Sequence, residues 1–218
     1  MDRDLSGATV PLGARVVFAT HNAHKAGEVR AILAGLVPGL DADEIATSAE
    51  CGAEEPIEDG ETFEENALIK ARSLSAHTGL VAIADDSGIA VDIMGGAPGI
   101  FSARWSGGHG DDQANLDLLL AQLADVRGEH RRAAFVCAAV AVHPDGREVV
   151  EIARLAGAIA RESRGANGFG YDPIFVADGQ TVTNGELDPA VKNGISHRGQ
   201  AFRALAPRLA ALLADGTP

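Results

Sequence analysis

Two adjacent carboxylates, Asp85 and Asp86, follow the apolar run Val81-Ala82-Ile83-Ala84 and precede Ser87-Gly88. The run reads as a short buried strand ending at the pair. Consecutive residues at a strand end point opposite ways, so one carboxylate can face a cleft and the other the scaffold. Two acids after a buried strand cost solvation unless each has a partner or a task. A carboxylate placed there can hold Mg²⁺ or take a proton from water. An Asx-turn completed by Gly88 is the alternative reading of the same residues.

A second carboxylate is available in the acidic stretch Glu54, Glu55, Glu58, Asp59 and Glu61, where Glu58 is the candidate. Mg²⁺ takes only one or two protein carboxylates and leaves its other positions to water and phosphate. A plain solvated face is the alternative for such a run. Lys70, four residues after Asn66 on one helical face, can reach a phosphate or pair with Glu65 or Asp59. The polar loop Thr20-His21-Asn22-Ala23-His24-Lys25 lies between an apolar strand and a helix, where backbone amides favour an anion. It has no glycine and no Gly-Lys-Ser/Thr, so it is not a Walker A loop. In isolation it also fits a loop kept polar for solubility.

The segment Gly165-Ala166-Asn167-Gly168-Phe169-Gly170-Tyr171-Asp172-Pro173 is the most unusual in the chain. Its glycines let backbone approach a flat ligand closely. Phe169 and Tyr171 belong to a small aromatic set of seven Phe, one Trp and one Tyr. Stacking of a base on such a ring is worth about 1–3 kcal/mol; a turn whose aromatics plug the core is the other reading. Lys192 and Ser196-His197-Arg198 gather positive charge and donors in a polar segment before the last helix. Arg198 near a helix start has the wrong sign for the dipole, which favours a ligand over chance surface polarity.

These residues need elements to position them. Arg15 to Thr20 reads as a first buried strand, and Val29, Ile32, Leu33 and Leu36 give the next stretch helical spacing. Thr62 with Glu65 three residues on forms a capping box for a helix through Phe63, Ala67, Leu68, Ala71 and Leu74, closed at Gly79. Residues 95–110 read as a Gly-rich loop. Asp111 and Asp112 start a helix with Leu116, Leu119, Leu120 and Leu123 on its apolar face. Arg132 to Val142 is a strongly apolar strand, His143 to Gly146 a turn, and Arg147 to Ala160 an antiparallel return, although its alanines also suit a helix. A strand is expected at Pro173 to Val176 and a final helix from Gly199 to about Leu213. Alternating strands and helices mark an α/β protein.

The chain has 218 residues, 46% hydrophobic and 22% charged, which suits a globular protein and not a disordered one. Its net charge of −13 argues against a sequence-independent grip on a nucleic acid polymer. Cys51 and Cys137 read as reduced, buried thiols, which suits a cytoplasmic location. No stretch is long and apolar enough for a membrane span. Residues 1–14 read as a flexible N-terminal leader and 15–218 as one domain.

Taken together the motifs resemble the inosine triphosphate pyrophosphatase family, the dITP/XTP pyrophosphatases. The resemblance is carried in order by Phe18-Ala19-Thr20-His21-Asn22 with Lys25, Thr62-Phe63-Glu64-Glu65-Asn66-Ala67 with Lys70-Ala71, and Ala84-Asp85-Asp86-Ser87-Gly88. Gly95-Gly96-Ala97-Pro98-Gly99 with Ser102-Ala103-Arg104-Trp105, Gly168 to Pro173, and Ile195-Ser196-His197-Arg198-Gly199 complete it. It implies a long mixed central β-sheet flanked by helices, with two lobes around a nucleotide-binding cleft. It also implies a cytoplasmic, Mg²⁺-dependent homodimer that hydrolyses ITP, dITP and XTP to the monophosphate and pyrophosphate. By the same resemblance, residues 20–25, Lys70 and Arg104 fall on the phosphate side, with Ser87 a further substrate contact. Asp86 becomes metal ligand and general base, and Glu58 the second metal ligand. Phe169, Gly170, Tyr171, Asp172, Lys192, His197 and Arg198 become the nucleoside pocket. A pyrophosphatase for methylated or pyrimidine nucleotides, or a nucleotide-binding module without turnover, are the competing readings.

Overall fold

The computed structural model describes residues 9–214. Residues 1–8 of the expected leader lie outside the described residues. The elements run β1 (Val16–Phe18), α1 (Ala23–Ala34), β2 (Ile45–Thr47), α2 (Phe63–Thr78), β3 (Val81–Val91), α3 (Asp112–Gln122), β4 (Arg132–Val142), β5 (Glu148–Ile159), β6 (Phe175–Ala177), α4 (Pro189–Ile195) and α5 (His197–Ala214). The strands form one mixed six-stranded sheet in the order β2-β1-β3-β4-β5-β6. β1 lies parallel to β2 on one side and to β3 on the other, and β6 runs antiparallel to β5.

The chain divides into two compact units, and the division falls within β3, β4 and β5. The first holds the chain up to Asp86, Ala138–Ile152 and the chain from Arg198 onward. In it, Val17, Ala82, Ala84, Ala138 and Val140 from the sheet pack with Ala67, Leu68, Ala71 and Leu74 of α2. The alternate strand positions face the other way: the Phe18 ring meets Phe202 of α5 edge-on at 5.7 Å. The second unit holds Ser87–Cys137 and Ala153–His197. Its core joins Ile89 and Val91 to Leu116, Leu119 and Leu123 of α3, and to Phe135, Tyr171, Ile174 and Phe175.

Local chemistry accounts for most element boundaries. The Thr62 hydroxyl accepts the Glu65 N–H, so α2 begins where its cap predicts, while the Glu65 carboxylate accepts the Glu61 N–H, one residue before the cap and not the cap's own amide. It ends at Gly79, whose φ is +71°. β4 is buried at every position after Arg132, which is why it reads as an unbroken apolar run.

Two expectations need correction, and a third segment gains an element. β3 does not stop at Ala84: it continues through Asp85-Asp86-Ser87-Gly88 to Val91. The carboxylates are therefore mid-strand, and the Asx-turn reading is excluded. The strand expected at Pro173 to Val176 is displaced, because Asp172–Ile174 form a 3₁₀ turn and the strand covers Phe175–Ala177. The polar segment that holds Lys192 before the last helix is itself a short helix, α4, capped by Asp188 and started by Pro189.

Candidate active site

The strand's alternation decides what the two carboxylates meet. Asp86 shares the face of Ala82 and Ala84, which is covered by α2. There its Oδ2 accepts a hydrogen bond from Asn66 Nδ2 at 3.2 Å, and its Oδ1 lies 3.6 Å from Lys70 Nζ. Lys70 Nζ also pairs with Glu58 at 3.1 Å. Asn66 is held in turn, its Oδ1 accepting the Gly60 N–H at 2.9 Å. Asp85 turns to the opposite face, towards α1 and α5. Its carboxylate lies 2.8 Å from Lys25 Nζ and 3.2 Å from Arg198 Nε, and it is fully buried. Arg198 also contacts Glu28 of α1 at 3.3 Å.

Charge follows this placement. Burial pushes the Asp85 carboxyl up, but Lys25, Arg198 and Lys70 outweigh it and hold it well below the ordinary carboxylate range. Asp86 moves the other way: burial raises it, with Glu58 and Asp85 adding to the rise against Lys70 and the Asn66 hydrogen bond. Two neighbouring carboxylates thus differ in proton affinity, that of Asp86 being the higher. Lys25 is lowered by burial, and Arg198 and Lys70 add to that effect against Asp85. Lys70 is raised: burial opposes, but Asp86, Asp85 and Glu58 prevail.

The loop after β1 leads into the N-terminus of α1, where backbone amides can favour an anion. Asn22 caps α1, its Oδ1 accepting the Lys25 N–H at 3.1 Å. The Thr20 hydroxyl accepts the Asn22 N–H at 3.1 Å. Ala23 and His24 open α1, and the His21 ring pairs with Glu55 at 2.6 Å.

Glu58 and Asp86 both reach one ammonium, so their oxygens share a small space. That donor set fits a hard divalent cation, which needs few protein ligands when water and phosphate fill the rest. Among the described residues, no group of three or more His, Cys, Asp or Glu makes an all-protein metal cage.

The other candidates lie in the second unit. Asp172, almost fully buried, organises the aromatic loop. One carboxylate oxygen accepts the Phe169 N–H at 2.9 Å and pairs with Lys192 Nζ; the other accepts from Asn184 Nδ2 at 3.2 Å. The Lys192 ammonium stands 4.9 Å from the centre of the Phe169 ring, which is 62% exposed. Gly168 has φ +80°, and a Cβ there would lie 2.2 Å from the Asp172 carboxylate. Tyr171 instead packs into the core, its hydroxyl donating to the Ser102 carbonyl at 2.8 Å. Burial, with Asp112 nearby, holds that phenol protonated. The Gly170 N–H donates to Asp112 at 2.9 Å. His197 stacks on Phe135, ring centres 4.9 Å apart. Arg104 lies over the Phe101 ring at 5.3 Å, and Ser87 follows Asp86 in β3, half-buried.

Sequence reasoning grouped Arg198 with the aromatic loop. Within its own unit its guanidinium contacts Asp85 and Glu28. Glu28 was not singled out, although it stands three residues after Lys25 on the same helical face. Asn66 was noted only as a neighbour of Lys70, and Asp112 only as a helix start.

A model described as the Ham1 family matches residues 16–208. The chain is 54% identical over 202 residues to the dITP/XTP pyrophosphatase of Leifsonia xyli, covering 93% of this chain and 98% of that one. It is 54% identical over 199 residues to the dITP/XTP pyrophosphatase of Streptomyces coelicolor, covering 91% and 98%. Among solved structures, a nucleoside-triphosphatase, dITP/XTP pyrophosphatase, from Mycobacterium abscessus matches with a TM-score of 0.74 at 49% identity, covering 88% of this chain and 98% of that one. A HAM1 protein from Coxiella burnetii matches with a TM-score of 0.82 at 37% identity, covering 91% and 99%.

Proposed function

The chain belongs to the Ham1 family, and on that premise we propose that it hydrolyses deaminated purine nucleoside triphosphates, ITP, dITP and XTP, to the monophosphate and pyrophosphate. The observation that carries this reading is the Lys70 ammonium shared between Asp86 and Glu58, 3.6 and 3.1 Å away. Two carboxylates and a lysine so close suit a metal–phosphate centre and not a surface ion pair.

Lys25, Lys70, Arg104 and the amides at the start of α1 bind the triphosphate. Asp86 and Glu58 would hold Mg²⁺, which when bound would neutralise charge on the phosphate tail. Asp86 takes the proton of the attacking water at a carboxylate oxygen. The water oxygen bonds to the α-phosphorus, the bond from that phosphorus to the bridging oxygen breaks, and pyrophosphate leaves with that oxygen. The fixed cations stabilise the charge that develops, which is where most of the rate arises. Phe169 offers a face for the base, with Lys192, His197, Asp172 and Gly170 around it, Tyr171 as its buried anchor, and Ser87 as a further contact. Arg198 carries only donors, so it suits the 6-oxo group of hypoxanthine or xanthine and opposes the 6-amino group of adenine.

We read the protein as a cytoplasmic homodimer from the family resemblance. No helix among the described residues is long and apolar enough to cross a membrane. The test is pyrophosphate release from ITP, dITP, XTP, ATP, GTP and methylated deoxynucleotides, with and without Mg²⁺. The expected result is Mg²⁺-dependent release from the deaminated purines, well above ATP. Orthophosphate as the product, or binding without turnover, would overturn it.

A further inference from the structure

The aromatic loop is anchored on the first turn of α3. Asp111 caps that helix itself, its carboxylate accepting the Ala114 N–H at 2.9 Å. Asp112, the next residue, therefore is not needed as the cap. Its carboxylate turns outward and accepts the Gly170 N–H at 2.9 Å, across 58 residues of sequence. One turn on, buried Asn115 accepts the Ser106 N–H at 2.7 Å and donates to the Ala103 carbonyl at 3.3 Å. The same helix turn thus holds the segment after Arg104 and the loop that carries Phe169.

The Gly170 contact sits where it controls Phe169. Gly168 and Gly170 both have positive φ, +80° and +58°, so Phe169 stands on a backbone arch with conformationally permissive residues on each side. Such an arch needs fixing from both ends. Asp172 fixes one by accepting the Phe169 N–H, and the buried Tyr171 hydroxyl pins the chain beyond it to Ser102. Asp112 is the clamp on Gly170 itself. The carboxylate is exposed and answers no buried charge, so its removal leaves the core of the unit intact.

We propose that Asp112 is a positioning residue for substrate, holding the Gly170 amide so that Phe169 presents its ring to the purine base. This rests on the reading of Phe169 as the base platform. An ordered platform binds without first losing freedom, whereas a loose one loses that freedom on binding. The clamp therefore acts on recognition of the base and leaves the phosphate chemistry untouched.

The experiment measures Asp112→Ala, Asp112→Asn, Phe169→Ala and the Asp112→Ala/Phe169→Ala double variant with ITP in the Mg²⁺-loaded enzyme. Asp112→Ala is expected to raise KM about tenfold with kcat unchanged, the pattern of lost uniform binding. Inhibition by pyrophosphate, which has no base, keeps its wild-type Ki. Asp112→Asn retains a carbonyl acceptor and recovers most of the loss. On the Phe169→Ala background Asp112→Ala adds nothing. An unchanged KM, a Ki that rises in step with KM, or additive losses in the double variant would each overturn the proposal. If wild type turns over no purine triphosphate, the functional reading fails by itself, and amide hydrogen exchange then decides the clamp. Faster exchange at Gly170 in Asp112→Ala supports it, and unchanged exchange rejects it.

Discussion

Asp85 and Asp86 are adjacent in β3 and serve opposite faces of the sheet: Asp85 pairs with Lys25 and Arg198, Asp86 with Asn66 and Lys70. Two changes of the same size at neighbouring positions should therefore give different defects. Asp86→Asn keeps shape and leaves Lys70 with Glu58, so the protein folds. On the proposed mechanism it loses the group that takes the water's proton, and turnover should fall by about 10²–10⁴-fold. Asp85→Asn leaves Lys25 and Arg198 without their shared buried anion, which costs on the order of 3–5 kcal/mol of stability. Urea unfolding alongside pyrophosphate release separates the two. Near-normal turnover of Asp86→Asn at saturating Mg²⁺ would remove it from the catalytic role.

The Asp85 contribution carries a pH signature. Its folded carboxyl is held well below the ordinary 3.8, despite burial, by Lys25, Arg198 and Lys70. A depressed folded pKa contributes stability that is complete above the unfolded value and is lost as pH falls through the folded one. The stability gap between wild type and Asp85→Asn should stay constant from neutral pH to about pH 4 and shrink below it. A gap that closes between pH 5 and 7 would assign it to another group.

These partners also mark where sequence reading stops. β4 was legible to the residue because burial on both faces leaves an unbroken apolar run. α2 was legible from its cap, a purely local signal. β3 was cut short because Asp-Asp-Ser-Gly is poor strand chemistry locally. What permits it is distant: Lys25 lies 60 residues before Asp85, and Arg198 lies 113 after it. β2 escaped notice since three residues, Ile45 to Thr47, carry no period and pair only with β1. The carboxylate, lysine and glycine types that make up the candidate site were all visible. Which cation would neutralise which carboxylate was not, because strand alternation decides it and the strand had been ended too soon.

The start of α2 links stability to the site. The Thr62 hydroxyl caps the helix that carries Asn66 and Lys70 within its first two turns. Thr62→Ala should lose about 1 kcal/mol of stability, and Thr62→Ser should lose little. Fraying of that turn loosens Asn66 on Asp86, so kcat for ITP should fall in Thr62→Ala by more than the unfolded fraction explains. Stability measured by urea and kcat measured at low temperature, where all of the protein is folded, distinguish the two effects. An unchanged kcat under those conditions would confine Thr62 to a structural role.

Gly168 and Gly170 offer a paired comparison on the loop that bears Phe169. Both have positive φ, so alanine at either position is strained by a comparable backbone cost of about 1–2 kcal/mol. They differ in what a methyl group would meet. At Gly170 no atom lies within 4 Å, whereas at Gly168 the Asp172 carboxylate lies at 2.2 Å and Lys192 Nζ at 2.9 Å. Asp172 is held on three sides, by the Phe169 amide, Asn184 and Lys192, so it cannot yield without breaking contacts that shape the loop. Gly168→Ala should therefore raise KM for ITP about tenfold or more, and Gly170→Ala only a few-fold. Neither should alter inhibition by pyrophosphate. Equal effects of the two substitutions would mean that backbone strain, and not collision with Asp172, governs the loop, and the buried carboxylate would lose its place as the loop's organising group.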